Sequence, residues 1–441
     1  MLHPTPSQPS LPEVHRSISI PQTNGFWRKL LAYAGPGYLV SVGYIDPGNW
    51  ATGIAAGSKF GYSLLSIILL SNLMAVFLQA LCVRLGVATG RDLAQACRDY
   101  FPRPVTFILW ILCEIAIIAC DLAELLGSAI ALQLLFGLPL AIGVALTALD
   151  VMMLLFLQGK GFRYVEALVI TLISTVGICF VAEIFFAKPD IGQVLAGYLP
   201  QREILVNGEM LYLAIGILGA TVMPHNLYLH SSIVQTRAWQ PEIKKRWEAI
   251  KFGTIDSTIA LSFALFINSA ILIVAASVFY GNGHHEVAEL QDAYQLLSPV
   301  VGVKVASLLF AIALLASGQS STLTATLAGQ VVMEGFLEIR LPSWLRRLIT
   351  RLMAIIPALL VILIFGESTT GGMLVFSQIV LSLQLPFAVI PLVLFTSDRK
   401  IMSGFVNPYW LKIVAWAIAL IIISLNLWLL CQMAIGFWGR F

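Results

Sequence analysis

The chain has 441 residues, of which 59% are hydrophobic and 11% charged; its formal net charge is +3 and its mean hydropathy +0.88. Water-soluble domains carry about 25% charged residues, so this chain has too few to cover a water-facing surface and reads as one integral membrane body. The small net charge, with no basic run interleaved with aromatics, argues against a nucleic-acid binder, and six scattered cysteines without a CxxC or Cys/His cluster argue against a disulfide framework or a zinc site.

Residues 1–25 are polar and contain Pro4, Pro6, Pro9, Pro12 and Pro21. They lack the apolar stretch and cleavage site of a signal peptide, and their composition predicts a disordered cytoplasmic tail. Residues 26–441 read as a single transmembrane domain. A membrane helix needs about 20 mostly apolar residues. Eleven segments qualify: 30–57, 63–87, 104–128, 138–158, 163–187, 208–237, 251–280, 302–335, 345–366, 372–396 and 409–437. The connections between them are short, which predicts one all-α bundle. With the N-terminus in the cytoplasm, 21 of the 26 Lys and Arg residues fall on the tail or the even-numbered connections. Only Lys59, Lys188, Arg202, Lys304 and Arg440 fall on the other side. That asymmetry predicts a cytoplasmic N-terminus and an outside C-terminus.

Two spans contain a breaker at mid-length: Asp46-Pro47-Gly48-Asn49 in span 1 and Met223-Pro224-His225-Asn226 in span 6. Proline removes a backbone hydrogen bond and clashes with the preceding turn. Freed backbone groups are tolerated within hydrocarbon only where they line a cavity or are buried in protein. A matching pair of interrupted spans points to an inverted-repeat transporter with its site at the breaks. Spans 1–5 and 6–10 are then the repeats, and span 11 an addition. Two ordinary proline kinks are the bland alternative.

Asp46 is the most informative residue, because a carboxylate at mid-membrane costs roughly 2.5 kcal/mol or more. Asn49 lies three residues on. Across the second break, Met223 offers a thioether, and unwinding before Pro224 would free the Ala220 carbonyl. Mg²⁺ and Ca²⁺ take oxygen ligands; a thioether adds affinity for softer ions. The mixed set suits Mn²⁺, Fe²⁺ and their neighbours.

Span 3 carries Glu114, Asp121 and Glu124 on roughly one helix face. His225 follows Pro224, and Arg237 ends span 6. Acids with a histidine inside a membrane are the expected form of a proton relay; the alternative is an ion-pair network stapling spans 3, 6 and 9. Asp150, Glu166 and Glu183 lie near span ends, and His284, His285 and Glu286 form a polar group in an outside loop.

The segments DPGNWATGIAAGSKFGY (46–62), GATVMPHNLYLHSSIVQTR (219–237), DLAELLGSAIAL (121–132), ASGQSSTLTATLAGQVVMEGF (316–336), RLITRLMAIIPAL (347–359) and SQIVLSLQLPF (377–387) resemble the signatures of the NRAMP family of proton-coupled divalent metal transporters. The resemblance covers all but the tail. It implies a LeuT-like inverted repeat and uptake of Mn²⁺ or Fe²⁺ with H⁺. It also implies metal ligands at Asp46, Asn49, Ala220 (carbonyl) and Met223, with Gln378 joining in some states. Proton-route roles are implied for Asp46, Asp121, Glu124, His225, Arg237 and Arg351. Gly53 and Ala55 stand where the family often has larger polar residues.

The expected function is therefore a proton-coupled secondary transporter of divalent transition metals, neither an enzyme nor ATP-driven, acting as a monomer in a plasma (inner) membrane without a cofactor. The alternatives are a LeuT-fold transporter of Mg²⁺ or a small organic solute, and a non-transporting metal sensor.

Overall fold

The computed structural model describes residues 8–21, 25–149, 161–287, 289–366 and 369–438. The described residues are almost entirely helical, with one two-residue strand pair. Nine of their helices are long and apolar enough to cross a membrane. They are Leu65–Thr89, Arg103–Phe136, Phe162–Ala187, Gly208–Thr236, Ile243–Asn282, Val305–Leu337, Trp344–Ile364, Thr370–Ser397 and Tyr409–Ala434. These are spans 2, 3 and 5–11. Span 1, cut into Pro36–Gly43 and Pro47–Phe60, is not among the nine; span 6 is counted across its own break. Span 4 begins with Leu140–Leu146 and the turn Thr147–Leu149; the rest of its expected range, 150–158, lies outside the described residues. Among the described residues, ten of the eleven expected spans are present, with span 4 described only in its first part, and the all-helical reading with broken helices 1 and 6 holds.

Burial separates the centre from the rim. The apolar window of span 6 is 94% buried, against 29% for span 9 and 33% for span 11. The broken helices therefore form the interior. Spans 3 and 8 share one packing seam, span 7 lies along spans 1 and 2, and span 10 lies along spans 3 and 6. Large apolar side chains such as Ile178, Phe185 and Leu363 face outward, as a lipid-facing surface requires. Trp50, fully buried in the second half of span 1, packs on Phe180 of span 5 and Phe310 of span 8.

The tail departs from the expectation of disorder. Among residues 8–21, Ser10, Leu11 and Ile18 are buried. Strand β1 (Ile18–Ser19) pairs in parallel with β2 (Arg237–Ala238) at the end of span 6. Proline-rich composition signals a lack of local structure, but it is silent about the few apolar residues that dock on distant helices.

Candidate metal site and ion-pair networks

Each break follows from its proline. In an unbroken helix the N–H of residue 224 would bond to the carbonyl of Ala220, four residues back. Pro224 has no N–H, so the first half of span 6 ends at Thr221 and the chain leaves helical torsions at Val222 and Met223. In span 1, Pro47 starts the second half, and Asp46 is its N-cap, in extended conformation.

The two breaks meet. Asp46 Oδ1 accepts from the Asn49 backbone N–H at 2.9 Å and from Asn49 Nδ2 at 2.6 Å. The same Nδ2 donates to the Ala220 carbonyl at 2.9 Å. Asn49 thus bridges a carboxylate and a carbonyl from opposite breaks. Asp46 Oδ2 and Gln378 Oε1 are buried without a hydrogen-bond partner among the described residues. Met223 is fully buried in a cluster with Ala116, Cys120, Ala325 and Leu381. Gln378 lies against Gly48, where an added Cβ would overlap its amide and lie 3.0 Å from Asp46 Oδ2. At Gly219 a Cβ would strike the Gln378 carbonyl and come within 2.8 Å of Ser382. Glycine at both positions lets span 10 approach the two broken helices. Of the five residues expected as ligands, Asp46, Asn49, Ala220 and Gln378 are thus brought together, and Met223 is buried at the second break, three residues on from Ala220.

The face opposite the tail carries a hollow lined by the second half of span 1 and by spans 6 and 10. A cavity of about 360 Å³ is lined by Ala55, Ser58, Tyr212, Leu213 and Val375, among others. Val375 is one helical turn from Gln378. Lys59 and Glu209 form an ion pair at its wall, and His285 and Glu286 also line it.

The expected proton-route residues fall into two groups. On span 3, Glu114 pairs with Arg346 at 2.9 Å and accepts from Trp110 Nε1 at 3.0 Å. Asp121 lies 3.9 Å from Arg351, which also donates to the Asp121 carbonyl and to Thr322. Glu124 is fully buried and accepts from the Cys120 thiol at 3.5 Å. His225 is buried, its Nδ1 without a partner among the described residues.

Arg237 is not with them: of the alternative reading, a network stapling spans 3, 6 and 9, the pairing of spans 3 and 9 is present, while Arg237 of span 6 turns elsewhere. Arg237 bonds to Glu166 of span 5 at 2.6 Å, to Thr236 at 2.9 Å and to the Ala34 carbonyl. Arg163 adds bonds to the Ala34 and Ala32 carbonyls. Asp256 of span 7 accepts from Gly35 N–H at 3.2 Å and Gly37 N–H at 2.7 Å, capping the first half of span 1. Gly35 sits at φ 137, and a Cβ there would run into Glu166 and Arg237. Glu166 was noticed in the sequence only as a residue near a span end, and Asp256 was missed. The signal for Asp256 was the one that marks Asp46: a lone acid in an apolar run. A second missed group is the buried chain His230–Gln79–Tyr44, with links of 2.8 and 2.7 Å.

Comparison with known proteins places this arrangement. The chain is 74% identical over 436 residues to a protein of Nostoc sp. named "Divalent metal cation transporter MntH", covering 99% of this chain and 98% of that one. A Bradyrhizobium diazoefficiens protein of the same name is 60% identical, covering 98% and 96%. Among solved structures, the Eremococcus coleocola manganese transporter superposes with a TM-score of 0.91 at 41% identity, covering 98% of this chain and 92% of that one. Mhp1, a nucleobase-cation-symport-1 family transporter, matches at a TM-score of 0.57 and 16% identity, a likeness of fold alone. The model of the family described as natural resistance-associated macrophage protein-like (Nramp) matches residues 37–432, and the chain belongs to that family.

Proposed function

We propose that this protein imports a divalent transition metal, Mn²⁺ or Fe²⁺ and their neighbours, in symport with protons. The proposed setting is a prokaryotic plasma membrane, with the tail in the cytoplasm and the C-terminus outside. The observation that carries the reading is Asp46 Oδ2, a buried carboxylate oxygen without a hydrogen-bond partner among the described residues, on a side chain that Asn49 ties to the Ala220 carbonyl of the second break. Such an atom is costly unless a cation completes it. The relatives' names agree with it.

The metal reaches the breaks from the cavity on the outer face. Asp46 supplies charge, and the Ala220 carbonyl a second oxygen. Asn49 now holds those two oxygens together through its amide nitrogen; rotation of that amide turns Oδ1 toward the cation. Met223 gives the soft contact that favours transition metals over Ca²⁺ and Mg²⁺. Gln378 joins as span 10 closes on the two glycines. Protons pass from Asp46 to Glu124 and along span 3 to the Asp121–Arg351 and Glu114–Arg346 pairs, with His225 next to the break. Arg237, bound to Glu166, serves instead to hold the tail-side end of span 1. An inside-negative potential supplies about 2.3 kcal/mol per charge per 100 mV, so a single chain works without ATP or covalent chemistry.

The test is Mn²⁺ uptake into proteoliposomes carrying an internal pH dye. Wild type is expected to take up Mn²⁺ and acidify the lumen. Asp46→Ala should do neither, and undiminished uptake in that variant would refute the site. Glu124→Gln should retain Mn²⁺ binding and lose the acidification; wild-type proton flux there would remove Glu124 from the route.

A further inference from the structure

The tail crosses a seam. Its first part is bonded to the connection between spans 2 and 3 and to the end of span 8. Ser10 Oγ donates to Asp92 at 2.6 Å, Leu11 N–H donates to Glu334 at 3.0 Å, and Gln330 donates to Glu13 at 3.2 Å. Gln95 donates to the Gln8 carbonyl at 3.1 Å. Its second part is bonded to the end of span 6. Arg16 N–H donates to the Gln235 carbonyl at 3.0 Å, and Ile18 and Ser19 lie in register with Arg237 and Ala238. Between the two parts is a tight turn, in which Val14 and His15 N–H groups both reach the Leu11 carbonyl.

We propose that residues 10–19 are a latch that holds the tail-side face of the transporter shut. For an ion at Met223 to leave on this side, the ends of spans 1 and 6 must part from span 8 and from the helix Leu93–Tyr100. The tail is bonded to both banks, so parting them breaks one set of bonds or unspools the turn. Undocking would also strip partners from Asp92 and Glu334, carboxylates that are 0% and 7% exposed. The turn is poised for release as well. Leu11 and Arg16 sit at φ 54 and 52, a region that residues with a Cβ seldom occupy. Such torsions persist only where the surroundings impose them, so the docked shape disappears once the contacts go. The latch also shares a residue with the hold on span 1. The backbone of Arg237 pairs with the tail, while its side chain grips the Ala34 carbonyl. Release of the tail therefore loosens the residue that pins the first half of span 1.

This inference rests on the proposed import, in which the ion is released on the tail side, and its test is independent of any transported ion. The full chain in lipid nanodiscs is compared with Leu11→Asp and with the milder Ile18→Pro by hydrogen–deuterium exchange of the segments 36–43 and 224–233. Thermal melting identifies variants that remain folded. Folded variants should exchange roughly tenfold faster in both segments, the ratio expected for one or two lost buried hydrogen bonds. Exchange unchanged from wild type in a folded variant of either kind would overturn the latch. Should wild type carry no Mn²⁺, the transport reading falls, and the exchange result still decides whether the tail restrains these helices.

Discussion

Span 1 is cut in two, and a buried aspartate caps the start of each half. Asp256, reaching across from span 7, gives one oxygen to Gly35 N–H and the other to Gly37 N–H. Asp46, at the break itself, gives one oxygen to Asn49 and keeps the other without a partner among the described residues. Residue type, burial and the task of capping are the same. What differs is how much of each carboxylate the protein consumes. Asp256 is spent on structure and lies near Arg237 and Glu166, whereas Asp46 keeps one oxygen over, and its other oxygen is tied through Asn49 to the Ala220 carbonyl of the second break. A strut and the proposed binding site differ here by one oxygen left over.

Substitution separates the two aspartates. Asp46→Ala should weaken Mn²⁺ binding by more than about 100-fold, beyond the usual loss for a residue that merely orients a ligand, while Asp256→Ala leaves the dissociation constant nearly unchanged; calorimetric titration in detergent reads both. Equal losses would erase the distinction. Next in size is Met223→Ala. With oxygen ligands alone, Ca²⁺ should begin to compete with Mn²⁺, its inhibition constant falling about tenfold. Continued exclusion of Ca²⁺ in a competition assay would show that the thioether does not set selectivity. The smallest effect belongs to Asp256→Asn, which keeps the side-chain shape and weakens the cap. Losing such a cap costs about 1 kcal/mol, visible as a modest drop in melting temperature with Mn²⁺ affinity retained. A loss of affinity with no change in melting would turn the strut into part of the site.

The breaks were legible because proline acts locally: Pro47 and Pro224 announce where the ladder fails and which carbonyl is released. Asp46, Asn49, Ala220 and Met223 could then be placed by counting along their own helices. Gln378 came only from resemblance, since its place depends on how span 10 packs against spans 1 and 6. Arg237 was assigned to the wrong neighbours for the same reason. Its partners Glu166 and Ala34 are 71 and 203 residues away, and nothing in its local sequence selects them over the acids of span 3. The tail failed more completely. Leu11 and Ile18 are too few to give a periodic signal, and their docking surface is assembled from span 6, span 8 and a connection. Composition reports what a segment does alone, not what a finished bundle offers it.

Gly48 and Gly219 lie on either side of Gln378. With hydrogen in place of a methyl on both flanks, span 10 has a smooth track between the two severed helices. A side chain on either flank would work as a wedge, propping that helix away from span 10. If Gln378 is the ligand proposed above, the coordination shell and the approach of span 10 to the broken helices are the same event viewed at two scales.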